Sequence, residues 1–480
     1  MDEATQIERL TAALITERAR TAELDARSAE LEERIAKLEK ELAKALDLLG
    51  QNSSNSNKPP STDPPAAKHA KKKPNGGPRG GQKGHRGSRR ALLPAERIDE
   101  VVDLFPAECA SCWKPLPQVP DKFPKRYQLT DLKPLAVHTT EWRRHAVVCP
   151  CCGYKTRAKY DPAVIPRFSF GPRLMAVVAL LTGVYHLSRR QAVRLLRELL
   201  GVRMSLGSVS AIEKRLSDAV EPAVDEAMES ARAAAVKHAD GTTWLRAGKL
   251  LALWVIATSA VTVFKVLPNG QQATLRDDFF GRVRGILVSD RATALKFWAM
   301  HRRQVCWAHL VRKFVSYSQR DGPAGELGKE LLEYTGIVFK YWSQLRHGQL
   351  SRETFVERMA PVRLQVEALV GRGRLLPADK DGVSGSCADI LEHREALWTF
   401  VEQEGVEPTN NHAERELRGL VMWRRRSFGS QSDRGTHFAA RMTTVAHTAR
   451  KQGREILEFL VACCAPRPEG AAAPSLLASA

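Results

Sequence analysis

Apolar residues recur every seven positions through the first fifty residues. Counted from Ile7, one seam holds Ile7, Leu14, Thr21, Ser28, Ile35, Leu42 and Leu49, and the other Leu10, Glu17, Leu24, Leu31, Leu38 and Ala45. Glu, Arg and Lys fill the faces between, and nothing breaks a helix before Gly50, so residues 1–50 are predicted to be a leucine-zipper-like coiled-coil helix. Such a helix makes the protein a homodimer or a higher assembly. A lone amphipathic helix lying on its own domain is the alternative. Residues 51–96 carry no core pattern and read as a disordered linker. Helical spacing returns over 166–235. Ser188 is placed to cap a helix containing Val193, Leu196 and Leu200, Gly201 ends it, and Ser208–Ile212 opens another, a helix-turn-helix-like arrangement. From Val236 the period drops to two. Lys237–Trp244, Leu250–Thr258 and Val261–Leu267 predict three consecutive strands, a helical stretch follows, and Gly285–Asp290 and Arg303–Ala308 predict two more strands. Residues 316–404 are expected to be a helical insertion, 405–465 a helical C-terminal part, and 466–480 a disordered tail.

Charge changes this picture. The 480 residues carry a formal +20, and the N-terminal fifty are acidic, so the remainder is more basic still. A polyanion, DNA or RNA, is the expected partner. Between Asp63 and Glu96 there is no acid, while Lys71, Lys72, Lys73, Lys83 and Arg86 lie among glycines that let the chain follow a phosphate backbone. Arg189 and Arg190 give the helix pair a basic edge of its own. No apolar run is long enough to span a bilayer, and the acidic start is unlike a signal peptide. The expected location is cytoplasmic, with the nucleoid reached through DNA.

Nine cysteines, an odd number, do not form a secreted disulfide framework. Cys109-x-x-Cys112 and Cys149-x-x-Cys152 present four thiolates, a set that suits structural Zn2+, so residues 97–165 read as a zinc ribbon. Cys151 is a bystander in that scheme.

Three meandering strands, a helix and a further strand make the core pattern of the ribonuclease H fold, in which acids of the first and fourth strands come side by side. Asp240 and Asp290 fit those places over 236–315. Neighbouring carboxylates repel unless a divalent cation lies between them, and oxygen donors select Mg2+ or Mn2+. A third acid is best sought in Glu407–Arg418, where Asn410, Glu414 and Arg418 share one helical face and Glu416 points away. The fold class expected is multi-domain α+β: coiled coil, zinc ribbon, helical DNA-binding region, and a ribonuclease H-like α/β core with a helical insertion.

These stretches resemble the bacterial insertion sequence 66 transposase family over nearly the whole chain. The resemblance rests on residues 49–60 (LGQNSSNSNKPP), 80–85 (GGQKGH), 238–240 (HAD), 289–294 (SDRATA), 306–310 (CWAHL), 408–415 (PTNNHAER) and 423–431 (WRRRSFGSQ). It implies a Mg2+-dependent Asp-Asp-Glu transposase with Asp240, Asp290 and Glu414 as its triad. Such an enzyme cleaves the ends of its element and joins the 3′-hydroxyls to target DNA by two-metal phosphoryl transfer. Arg415, Arg418, Arg424, Arg425 and Arg426 would bind flanking phosphates, or form a solvated face. Trp423 would stack on a base or sit in the core, and His309 would lie near the metals or be structural. Two small accessory proteins of the same element are implied as partners. Gly241 departs from the glutamate common in the family at that place. Two other readings share these features: a non-catalytic DNA-binding regulator, and a metal-dependent nuclease that never joins strands.

Overall fold

A computed structural model describes residues 3–53, 55–56, 91–132, 135–159, 168–377, 382–466 and 470–477. Lys71, Lys72, Lys73, Lys83 and Arg86 lie outside the described residues. The chain divides into two compact units, one made of Met1–Pro64, Arg143–Arg194 and Arg203–Ala480, the other of Pro65–Trp142 and Leu195–Val202. The span expected as a single zinc ribbon is therefore shared out at Trp142–Arg143.

In the first unit, α1 (Glu3–Gly50) is one unbroken helix, with Leu10, Leu14, Leu24, Leu31, Ile35, Leu38 and Leu42 exposed. A short hairpin, β1 (Ala146–Val148) and β2 (Lys155–Arg157), carries the second cysteine knuckle at its tip. Helix α2 (Pro172–Ala179) runs on into a π-helical turn over Leu180–Val184. Helix α3 (Arg189–Leu200), assigned to this unit as far as Arg194 and to the other from Leu195, opens with a reciprocal cap: Ser188 N–H donates to Gln191 Oε1 at 3.0 Å and Gln191 N–H to Ser188 Oγ at 3.3 Å. Helix α4 (Leu206–Ala233) begins before the expected Ser208, because Ser205 Oγ takes the Ser208 N–H and is the cap.

Five strands follow the period-two region: β3 (Val236–Arg246), β4 (Lys249–Ala257), β5 (Thr262–Leu267), β6 (Ile286–Ser289) and β7 (Arg303–Val305). They form one mixed sheet in the order β5-β4-β3-β6-β7, antiparallel in its first three strands and parallel from β3 to β7. The stretch after β5 is α5 (Gln272–Thr274), continued by a π-helical turn to Phe280. Beyond β7 come α6 (Trp307–Ser318), α7 (Gly322–Arg346), α8 (Arg352–Arg374), α9 (Val383–Glu392), α10 (Thr399–Glu402), α11 (Asn411–Ser427), α12 (Asp433–Lys451) and α13 (Ile456–Cys464). The architecture is α+β.

Alternation along the strands sorts the packing. One sheet face contributes Ala239, Trp254, Ile256 and Val263 to a core with α2, α4, α12 and α13. The other contributes Trp244, Leu253, Val255 and Phe264 to a cluster closed by Ala413, Leu417 and Leu420 of α11. At the β7 edge, Val288 and Val305 share a third core with Trp307, Phe314, Leu331, Phe355, Trp398 and Phe400. The helices between β7 and α11 are thus continuous with the sheet edge. Each large apolar side chain fully buried there contributes about 1.5–3 kcal/mol relative to exposure.

The tail departs from expectation. Leu476 is fully buried in the first core, and its N–H and Ser475 Oγ bond to the Glu226 carboxylate. Burial of Leu476 and these bonds to Glu226 tie Ser475 and Leu476 down in a segment whose composition suggests disorder.

In the second unit the described residues up to Trp142 have little regular structure, with a 3-10 turn at Ala95–Arg97 and Leu93 tied to Gln128 in both directions. Leu135–Thr140 forms no strand; Leu135 and Val137 are exposed, and no neighbouring strand pairs with them among the described residues.

Candidate active site

Asp240 lies in β3 opposite Val255. Facing residues of a ladder share one side of the sheet, so Asp240 is on the α11 face. Asp290 directly follows β6. Strands β3 and β6 run parallel with His238 opposite Val288, and extending that register by two residues sets Asp290 level with Asp240 on the same face. Ala292 N–H donates to Asp290 Oδ1 at 3.0 Å, and Arg303 Nη2 donates to the Asp290 carbonyl at 2.9 Å. Arg303 is fully buried, and burial lowers its pKa to about 10, with Asp290 and Asp389 opposing the fall. It therefore remains a cation at neutral pH.

Glu414 arrives from the far end of the chain on the first turn of α11. Three bonds dock that helix start. Trp307 N–H donates to the Pro408 carbonyl at 2.9 Å, Asn410 N–H to Cys306 Sγ at 3.1 Å, and Asn410 Nδ2 to the Ala239 carbonyl at 2.8 Å. The last of these fastens α11 beside Asp240.

Electrostatics registers the convergence. The Asp240 carboxyl is pushed up to about 8, first by burial and then by the charges of Asp290 and Glu414, against the Gly241 N–H and Arg312. Glu414 Oε1 stands 3.5 Å from His309 Nδ1 and its Oε2 is 3.7 Å from Arg312 Nη2; Oε1 and Nδ1 are buried and make no hydrogen bond. Burial lowers the His309 pKa, with Glu414 and Asp290 opposing. Burial also pushes the Cys306 thiol up to about 11. Three convergent carboxylates, one of them short of compensation and another with an unpartnered oxygen, fit a hard divalent cation such as Mg2+ or Mn2+.

Gly241 is fixed by its neighbour across the ladder: a Cβ there would stand 2.6 Å from the Trp254 ring. Glu416 points away from Glu414 into its own network, paired with His447, with Lys451 at 3.2 Å and His412 at 3.6 Å.

The basic residues singled out in the sequence separate into two kinds. Arg415, Arg418, Arg425, Arg426 and Arg190 are exposed. Arg424 instead braces β3 through the Thr243 carbonyl and hydroxyl, the latter at 2.7 Å. Arg189 is held by Glu213 through two bonds of 2.6 and 2.9 Å. Trp423 stacks on His186 with ring centres 4.3 Å apart and meets Trp244 edge-on, so it belongs to the packing of α11 rather than to an open base platform.

The two cysteine knuckles have one geometry, each within its own unit. Cys109 N–H donates to the Lys114 carbonyl and Trp113 N–H to the Cys109 carbonyl; Cys149 with Tyr154 and Gly153 repeats both bonds, all at 2.9 Å. Trp113 and Gly153 both have left-handed φ, 58° and 72°. Backbone N–H groups of Cys112 and Ser111 point at the Cys109 sulfur, and those of Cys152 and Cys151 at the Cys149 sulfur, which lowers both thiol pKa values. Cys151 thus contributes its backbone.

A model of the IS66 transposase family matches residues 167–438, more than half the chain, and includes Asp240, Asp290 and Glu414. The chain belongs to the IS66 transposase family. Residues 3–91 match a second family, described only as of unknown function (DUF6444). A comparison with curated proteins gave no match. No described helix is long and apolar enough to cross a membrane.

Sequence reasoning named Asn410 only as sharing a helical face with Glu414 and Cys306 only within a family-like stretch, and it did not single out Arg303 or Arg312 as parts of this IS66-family site. The three-residue spacing of Cys306, His309 and Arg312 was a usable signal, since it sets all three on one side of α6. Nothing in the sequence around Arg303 indicates that it braces Asp290.

Proposed function

We propose that this IS66-family protein cleaves the ends of its own insertion sequence and joins the 3′-hydroxyls to target DNA, with Asp240, Asp290 and Glu414 as the catalytic carboxylates. The observation that carries this reading is that burial, and after it the charges of Asp290 and Glu414, raise the Asp240 pKa to about 8, so that acids from two neighbouring strand positions and a distant helix act on one another. The strand order β5-β4-β3-β6-β7, with its antiparallel-to-parallel switch at β3, supports a ribonuclease H-like core.

Bound Mg2+ or Mn2+ supplies Lewis-acid stabilisation of the attacking and leaving oxygens. The protein's own groups prepare for it. Asp240, Asp290 and Glu414 would hold the ion, Asp240 as its carboxylate. Asp290 is held in place from both sides, by the Ala292 N–H and by Arg303. Asn410 fixes the α11 start against β3, which sets the reach of Glu414. Arg415, Arg418, Arg425 and Arg426, exposed beyond Glu414 on α11, are proposed to take DNA phosphates. Each knuckle is proposed to supply a thiolate pair to structural zinc. The exposed leucine seam of α1 is proposed to pair with a second copy.

The test incubates the protein with DNA carrying the sequences that flank its gene, comparing Mg2+ with Ca2+ and wild type with Asp290→Asn. Nicks at one fixed position together with joined products, both requiring Mg2+ and Asp290, are expected. Nicks that never yield joined products favour a nuclease. Binding without cleavage in every condition favours a regulator.

A further inference from the structure

A group of side chains able to ligate a metal lies on the α6 side of Glu414. The ligand atoms of Cys306, His309 and Glu414 lie within 4.8 Å of one another. Cys306 caps α6 and His309 stands one turn inside it, so both project on one side, and docking of α11 brings Glu414 onto them. Cys306 is fully buried, while His309 and Glu414 keep a small opening to solvent, with side-chain exposures of 14% and 23%. His309 Nδ1 and Glu414 Oε1 are both buried without a hydrogen bond although 3.5 Å apart. A thiol, an imidazole and a carboxylate form a soft, mixed set that magnesium does not favour and zinc does.

We infer that Cys306 Sγ, His309 Nδ1 and Glu414 Oε1 form a binding site for a thiolate-preferring divalent cation, of which Zn2+ is the type, separate from the cysteine knuckles. Metal bonds of about 2.0–2.3 Å require the three donors to draw together by only a fraction of their present spacing. The Cys306 proton leaves to solvent as the sulfur–metal bond forms, and no oxidation is involved. Arg312 stays on the opposite Glu414 oxygen. Because Glu414 is shared, an ion held here withdraws it from Asp240 and Asp290, and zinc then opposes the Mg2+-dependent reaction. That consequence rests on the proposed function; the site itself does not.

The test adds to metal-free full-length protein only the Zn2+ that the four knuckle cysteines take up, a thiolate-rich set that fills first, then titrates Co2+ and follows the thiolate-to-cobalt charge-transfer band. One further equivalent is expected to bind with a single-thiolate band. The band is expected to vanish in Cys306→Ser, to weaken roughly tenfold or more in affinity in His309→Gln, and to persist in Cys149→Ser and in Asp290→Asn. No band in the wild type, or a band that survives Cys306→Ser, overturns the inference. If Cys306→Ser loses its thermal unfolding transition, His309→Gln decides, since unchanged cobalt affinity in that variant overturns it equally. A wild-type band in a protein that cleaves no DNA sinks the proposed function and leaves this site standing.

Discussion

Without a cation, Asp240 is a burden on the fold, and its removal is predicted to stabilise the protein. Its carboxyl titrates at about 8 instead of 3.8. At about 1.4 kcal/mol for each pH unit, that gap amounts to a ceiling of about 5–6 kcal/mol above pH 8. Asp240 retains partial exposure, and effective dielectrics near such sites are high, so about half that figure is the working value. The sign follows from proton binding. Below about pH 4 both folded and unfolded chains hold the proton, and Asp240 costs nothing. As pH rises, the unfolded chain releases it first, and folding stability falls until the folded carboxyl titrates near pH 8. Asp240→Asn keeps an oxygen for the Gly241 N–H, which donates to Asp240 Oδ1 at 2.9 Å. In magnesium-free buffer at pH 8 the variant is expected to melt about 5 °C higher than wild type. The difference should shrink toward zero at pH 4. Added Mg2+ should raise the wild-type Tm and leave the variant's unchanged. Equal melting at pH 8, or a difference that does not depend on pH, would refute the claim that three carboxylates crowd one another here.

Three further outcomes follow from the packing. Gly241→Ala should destabilise the protein by about 1–3 kcal/mol in urea unfolding, because its Cβ meets the Trp254 indole; Trp254→Leu should recover part of the loss. Glu416→Gln should cost about 2–3 kcal/mol at pH 7, since it leaves His447 and Lys451 without their carboxylate. Burial raises the Glu416 pKa, but bonds from His412 and His447 and the Lys451 charge hold it well below the ordinary range, so this deficit should close as the pH falls through the acid range and unfolding curves converge. Leu31→Lys, in the exposed seam of α1, should lower the oligomeric mass in sedimentation while the melting of the catalytic unit stays unchanged.

β4, β5 and β6 were readable as largely apolar runs and β3 from its period of two, and the sheet leaves few alternatives for where Asp240 and Asp290 meet. Glu414 was readable from helical spacing at Asn410, Glu414 and Arg418. What the sequence hid was mostly pairing across long separations. Arg291 bonds to Asp389 ninety-eight residues away, and Arg303 reaches back to Asp290, yet neither arginine differs locally from one facing solvent. Arg189 and Arg424 look like phosphate ligands until Glu213 and Thr243 are seen beside them. The start of α4 was missed because Ser205 and Ser208 are equally good caps by composition. Leu135–Thr140 has strand-like composition, but a strand needs a neighbour.

The return of Glu414 to the sheet has a temporal meaning. Asp290 and Glu414 are separated by 124 positions, and the start of the helix that carries Glu414 docks against Cys306 and Ala239, both of which precede it in the chain. A ribosome adding about 5–20 residues per second needs about 6–25 s to cover that interval. For that time the nascent chain has its N-terminal helix and both aspartates but lacks the residue that completes the carboxylate set. On the proposed function, pairing through α1 precedes completion of the carboxylate set, and a chain that stops before Glu414 lacks one of the three proposed catalytic carboxylates.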